Sequence, residues 1–437
     1  MKSIITEERL KICRDDREAL RHEHFERARA VYGDEVVSEL EKLYDLYDET
    51  NYIWRAGLWE PEIGGFYFSE GGRDTEGFLP DIESTVQTTR HLETSGLNSS
   101  RPGNSTMAAT PDKMREKLLA FVRSLQDPDD GYFYHPQWGK KISTSRRGRD
   151  LSWSVSLLDE FSEKPLYKTP LERGGSGSEE STLPEHLSSL SAFKAYLEKY
   201  DLTTNSYRLG NLLQSQQMQI EAAGDAFVEE MFAHLEARQR EDNGLWEPKV
   251  NYASVNGLMK LNLMYTYFKR PLPNAVKAFE SSFYVAMSDE PILFCCQFFN
   301  PLVTMREILD NIKTFGTAEL SDELRSVVKK NAAELIRITK AKVAPCKKAD
   351  GGFSYYYDKG CVVSQGAPVG LDTLEGDINA SGVCTNSVVY PICSLLEIPR
   401  IPLFGVEDSR LFYDLIENAE VKPKTIPKPE WFESKLM

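Results

Sequence analysis

Acidic residues recur where loops run into helices. Gly72-Arg73-Asp74-Thr75-Glu76-Gly77 precedes Asp81-Ile82-Glu83-Ser84, and Asp372-Thr373-Leu374-Glu375-Gly376 precedes Asp377-Ile378-Asn379. Arg147-Gly148-Arg149 leads into Asp150 in the same way. Asp74, Glu76, Asp81, Asp372, Glu375 and Asp377 are therefore catalytic candidates. Acid–base chemistry at a glycosidic bond needs one protonated carboxyl for the leaving group and one ionised carboxyl as base or nucleophile. Asp81, Asp150 and Asp377 have a competing assignment as helix N-caps, where a carboxylate accepts free backbone N–H groups. The other four lie further from the helix starts and compete only with solvated loop acids.

A second constellation is Tyr134-His135-Pro136-Gln137-Trp138, with Arg146, Arg147 and Arg149 close behind. His135 or Tyr134 beside Arg149 would suit removal of a proton next to a carboxylate, with arginine neutralising the acid. The plainer assignment is a loop histidine and a solvated basic run. Trp138, Trp153, Trp246, Tyr252 and Tyr356 offer faces for a sugar ring, or equally for a core. Asn256 offers an amide at the start of a predicted inner helix. These residues, with Tyr134 and Arg149, are the candidate substrate-binding set.

Composition narrows the classes. The 437 residues carry a formal charge of −15, the wrong sign for a general nucleic-acid binder or for docking on anionic membranes. No apolar run has the length of a membrane span. The N-terminus, MKSIITEERLKICRDD, lacks a signal-peptide core. Seven cysteines, an odd number with no C-x-x-C, suggest reduced thiols, so a cytoplasmic location is expected. There is no phosphate-binding loop, no G-x-G-x-x-G, no H-E-x-x-H and no G-x-S-x-G, so neither a cofactor nor a metal is expected. The expected partner is a small-molecule or oligosaccharide substrate; the oligomeric state is open.

What must position these residues is a repeated turn. GLWEPEIGGFYF around Trp59, QDPDDGYFY from Gln126, QREDNGLWEP from Gln239 and ADGGFSYYY from Ala349 each put small or acidic turn residues before an aromatic pair, with a helix following. Asp127-Pro128-Asp129-Asp130 lies inside one such turn. Helical periodicity predicts about a dozen helices, at 14–50, 84–94, 114–125, 150–161, 185–199, 211–239, 252–268, 274–287, 289–313, 322–342, 379–396 and 408–419. The predicted class is all-α, with short aromatic Gly-rich hairpins, as one domain over 1–437. Flexible insertions are expected at 95–112 and 162–184, and an extended tail at 420–437.

Gln-x-x-Asp-Asn-Gly-Leu-Trp (239–246) and Lys-x-x-Asp-Gly-Gly-Phe (347–353) resemble the repeat motif of α/α-toroid proteins. That group includes prenyltransferase β-subunits, terpenoid cyclases, and α/α-barrel polysaccharide lyases and glycosidases. The resemblance covers the turns and the helix count. It implies an (α/α) toroid of about six helical hairpins, with loops gathered at one mouth. Prenyltransferases hold zinc through Asp, Cys and His, but no histidine follows His234, so Cys361 and Cys384 lack that partner. Asp127–Asp130 spells the cyclase acid motif, yet within the turn itself. The resulting expectation is a carbohydrate-active hydrolase or lyase. The alternatives are an isoprenoid enzyme with an apolar cavity, or a non-catalytic binding scaffold.

Overall fold

The computed structural model describes residues 4–101, 103 and 105–436, with the side chains of all but 433, 435 and 436. Positions 102, 104 and 437, in the expected loop and tail, lie outside the described residues. The chain is mostly helical. It begins with α1 (Glu7–Tyr44), α2 (Glu49–Gly57), β1 (Trp59–Glu60), β2 (Gly65–Phe66), α3 (Glu70–Asp74), α4 (Ile82–Ser95), α5 (Thr106–Ala109), α6 (Asp112–Ser124) and α7 (Thr144–Glu160). There follow α8 (Leu190–Leu197), α9 (Leu202–Ser215), α10 (Gln217–Ala223), α11 (Asp225–Glu236), α12 (Tyr252–Tyr267), α13 (Ala275–Ala286), α14 (Cys296–Phe315), α15 (Ala318–Lys330) and α16 (Ala332–Val343). The chain ends with β3 (Val363–Ser364), β4 (Ala367–Pro368), α17 (Ile378–Val383), α18 (Asn386–Leu395), α19 (Val406–Glu417) and α20 (Trp431–Leu436).

The repeated turn has one structural logic. Its glycine is Gly64, Gly131, Gly244 or Gly351, each with left-handed φ, from 69° to 100°. A Cβ at any of them would come closer than 3.0 Å to backbone of another segment: Lys117, Lys168, Ala278 and Thr50 respectively. Only glycine allows both the turn and that approach. Two residues later stands a fully buried aromatic: Phe66, Phe133, Trp246 and Phe353. In two copies a glutamine braces the loop, with Gln126 and Gln239 donating from Nε2 to the carbonyls of Gly131 and Gly244. A helix N-cap follows each turn: Asp81, Ser143, Asn251 and Asp377 start α4, α7, α12 and α17. Asp127–Asp130 is a turn, its Asp127 Oδ1 accepting from the amides of Asp129 and Asp130.

The turn-led helices α4, α7, α12 and α17 pack in series with α9, α14 and α18. α4 packs on α7, α7 on α9, α9 on α12, α12 on α14 and α14 on α18, while α17, contiguous with α18, packs on α4. In addition, α1 packs on α16 and α19, α2 on α19, α13 and α15 on α14, and α11 on α8. One apolar cluster draws on residues from Cys13 to Ile416. A smaller one joins Phe78, Trp138, Val369 and Phe432, so the C-terminal tail folds back over the first and second turns.

Several helix boundaries differ from expectation. The 14–50 helix starts at Glu7, bends at Gly33 (φ 78°) and stops at Tyr44. The 211–239 helix is three pieces, broken at Gln216 and Gly224. The predicted loop at 95–112 holds α5, and the tail ends in α20. The consequential difference is α7, which begins at Thr144 rather than near 150. Asp150 is thus a helix-interior residue and not a cap, and the basic run lies on the helix. No helix among the described residues is long and apolar enough to cross a membrane.

Candidate functional site

The early start of α7 places Arg146 one turn before Asp150. Arg146 is sealed from solvent and makes charged hydrogen bonds to three carboxylates. Its Nε donates to Asp150 (2.8 Å), Nη1 to Glu83 (2.9 Å) and Nη2 to Asp81 (3.2 Å). Nη1 also reaches the Ser364 carbonyl at 3.2 Å, and Ser364 Oγ donates to Glu83 at 2.8 Å. One guanidinium therefore locks α4, α7 and the β3–β4 hairpin together. Burial opposes its charge, but the three acids outweigh burial and raise its pKa. Burial also pushes Asp150 up to about 7 and raises Glu83, each against the pull of Arg146. Asp150 Oδ2 has no partner.

Ser364, bound to this hub, lines a cavity of about 320 Å³. Ser145 of α7, Tyr207 and Asn211 of α9, Tyr355 and Tyr356 after the fourth turn, and Asn379 of α17 line it, with the β3–β4 hairpin across one side. Arg149, one turn along from Ser145, donates to Asn211 (2.7 Å), Gln214 (2.8 Å) and Ser215 (2.9 Å). Lys260 of α12 reaches Gln214 at 3.5 Å. Burial, and then the charge of Arg149, push the Lys260 amine down to about 7. Water still touches part of this side chain, so the depression is smaller than for a sealed lysine. Cys296 opens α14 with its Sγ 3.2 Å from the Tyr355 hydroxyl. A hydrogen bond from Cys295 lowers the Cys296 thiol against the effect of burial, with Tyr355 and Lys260 acting in the same direction. Burial raises Tyr207 to about 12 and raises Tyr355 strongly, keeping both phenols protonated.

The candidate acids fall into two groups. Asp81 caps α4 through Ser84 N (3.1 Å) besides binding Arg146. Asp377 caps α17 through Ala380 N (2.7 Å) and accepts from Tyr355 N (2.7 Å), so it fixes a cavity tyrosine. Burial holds Asp377 far above the carboxylate range. None of the six lines this cavity, and the remaining four are tied to other parts of the chain or exposed. Asp74 pairs with Arg73 at 2.7 Å, and its carbonyl receives the amides of Thr425 and Ile426 from the tail. Glu76 and Asp372 are exposed, and Asp372 accepts from Gly360 N at 3.2 Å. Glu375 accepts from Gly71 N at 2.7 Å.

Among the other candidates, Tyr356 lines the cavity, Arg149 binds Asn211 in its wall, and Trp153 carries the guanidinium of Arg149 5.7 Å from its ring centre. His135 is buried, its Nδ1 accepting from Gln137 N at 3.3 Å, and burial followed by the charge of Arg146 keeps it neutral. Tyr134 donates to Asp130 at 2.8 Å, Trp138 to the Pro368 carbonyl at 2.8 Å and Trp246 to the Leu235 carbonyl at 2.8 Å. Tyr252 is buried under Lys342, and Asn256 accepts from Asn300 at 2.9 Å. Tyr207, Asn211, Gln214, Lys260, Cys296 and Tyr355 were not candidates from the sequence. Lys260 carried a signal: it is the only charged residue in the 16-residue α12.

Among the described residues, no group of three or more His, Cys, Asp or Glu side chains has metal-holding geometry. No protein-family model matches the chain, and no curated protein or solved structure matches it significantly.

Proposed function

We propose that this chain is an (α/α) toroid enzyme that cleaves an acidic sugar by elimination. Two features support the toroid: inner-helix packing that runs from α4 through α7, α9, α12, α14 and α18–α17 back to α4, and a turn repeated four times that leads into inner helices. The observation that carries the chemistry is a lysine poised near neutrality and an arginine that meet at Gln214, the arginine also binding Asn211 in the wall of a polar cavity lined by protonated tyrosines.

In this reading Arg149 attracts the substrate carboxylate and offsets the negative charge that develops on it. The neutral Lys260 amine takes the proton from the carbon beside that carboxylate. The electron pair forms a carbon–carbon double bond as the neighbouring carbon–oxygen bond breaks. The leaving oxygen takes the proton of Tyr207 or Tyr355, and solvent returns Lys260 and the tyrosine to their starting states. Base and acid are separated by environment, one amine pushed down and two phenols pushed up.

Hydrolysis is the less favoured carbohydrate chemistry, because the carboxylates nearest the cavity are already committed. Asp81, Glu83 and Asp150 hold Arg146, and Asp377 holds two amides. An isoprenoid substrate calls for an apolar chamber, whereas serine, asparagine and tyrosine surround this one. The test is to incubate the protein with uronate-containing and neutral oligosaccharides and to follow the ultraviolet absorbance of an unsaturated product. Cleavage of the uronate substrates by wild type and not by Lys260→Met supports the reading. Reducing ends without unsaturation would replace it with hydrolysis.

A further inference from the structure

A second recess of about 510 Å³ lies among α4, α14 and the α17–α18 pair. Arg90, His91, Arg306, Asn386, Tyr390 and Arg400 line it, and none of its lining residues is acidic. This is unusual in a chain with 67 acidic and 52 basic residues. Arg306 and Arg400 both lean on the Tyr390 ring, 4.8 and 5.2 Å from its centre. Two guanidiniums on one ring repel each other unless an anion lies between them. Arg306 pairs with Glu307 through one terminal nitrogen and leaves its buried Nε without a partner. Among the described residues Arg90 and Arg400 make no ion pair; Glu93 and Glu160 act on Arg90, and Glu93 on Arg400, only from a distance.

His91 supplies the second observation. It is 1% exposed, and its Nδ1 faces the amide of Asn386 and the hydroxyl of Thr385 at 3.2 Å. Accepting from Asn386 puts the ring proton on Nε2, which has no partner. Behind it lies Arg55, fully buried with no partner on any guanidinium nitrogen. Burial, then the charges of Arg55 and Arg400, hold His91 neutral. The recess therefore carries excess positive charge from Arg90, Arg306 and Arg400, with unpaired donors of His91 and Arg306 buried in its wall.

We infer that this recess is an anion site, built to hold the oxyanion group of a small polar molecule between Arg90, Arg306 and Arg400. The group is a phosphate, a sulfate or a carboxylate, for which planar guanidinium donors are suited. The inference stands independently of the elimination reading, since it shares no residue with the Lys260 cavity.

The probes are inorganic phosphate, sulfate and acetate, titrated against sodium chloride at constant ionic strength, with thermal unfolding and calorimetry as readouts. Saturable binding and a rise in Tm with at least one probe are expected, and the probe that binds identifies the group. Arg90→Gln and Arg400→Gln should each weaken binding about tenfold, the loss of one charged hydrogen bond. Neither arginine makes an ion pair among the described residues, so without anion both variants should unfold close to the wild-type Tm. Absence of saturable binding by all three probes would overturn the inference. So would equal binding by the Arg90→Gln/Arg400→Gln double variant.

Discussion

Replacing Arg146 by Met would leave Asp81, Glu83 and Asp150 buried around an uncharged side chain. Arg146 bridges all three at 2.8 to 3.2 Å, and none of the four side chains is more than 1% exposed. Removing one partner of a buried ion pair costs about 3–5 kcal/mol, because the other is left uncompensated. Here three acids lose the same cation, so the upper part of that range is expected at pH 8. The cost must also depend on pH. Without Arg146 the folded-state pKa values of Glu83 and Asp150, already raised by burial, rise further above the unfolded value of about 4. Protonation is then favoured in the folded state, and stability is lost as pH rises from about 4 through the folded pKa values. The variant should therefore recover much of its deficit at pH 5. Urea unfolding at pH 5 and pH 8, followed by tryptophan fluorescence, measures both numbers. Adding Glu83→Gln and Asp150→Asn to Arg146→Met should restore stability at pH 8. A cost below about 1 kcal/mol, or one equal at the two pH values, would refute the hub.

Gly351→Ala should destabilise by roughly 2–4 kcal/mol, since φ is +100° and the Cβ would strike the Thr50 backbone. Gly139→Ala, left-handed but with open space around it, should cost only about 1 kcal/mol; equal costs would remove the docking role of the turn. Burial pushes Glu375 up to about 7, so its contribution to stability, complete below pH 4, is lost as pH rises to 7. Glu375→Gln should accordingly gain about 3 kcal/mol relative to wild type between pH 5 and pH 8, measured by thermal unfolding at both values. Six of the seven cysteines are buried and Cys296 is not, so brief iodoacetamide treatment followed by peptide mass spectrometry should find label on Cys296 alone.

The turns were legible in the sequence because their chemistry is local. A glycine at positive φ and an aromatic two residues on can be read from the chain without knowing what they touch. Asp81 and Asp377 were legible as caps for the same reason. Arg146 was not. Its partners Asp81 and Glu83 lie 65 and 63 positions away, so a cationic run that reads as a solvated loop proves to be sealed helix. Asp150 changed role with it, from a cap to an ion-pair partner inside α7. Lys260 shows a different limit. Its isolation among apolar residues was visible, but only the packing of α12 against α9 brings it to Gln214 and Arg149.

The most direct test of the proposed chemistry is the pH profile of uronate cleavage by wild type and Lys260→Arg. Lys260 is pushed down to about 7, so its free-base form should carry wild-type kcat/KM upward through that pH to a plateau. Lys260→Arg keeps the charge but supplies no base at neutral pH, and should lose at least about a hundredfold while retaining the fold. Cleavage that persists unchanged in Lys260→Arg, or that shows no rise through pH 7, would contradict the assignment of Lys260 as the base.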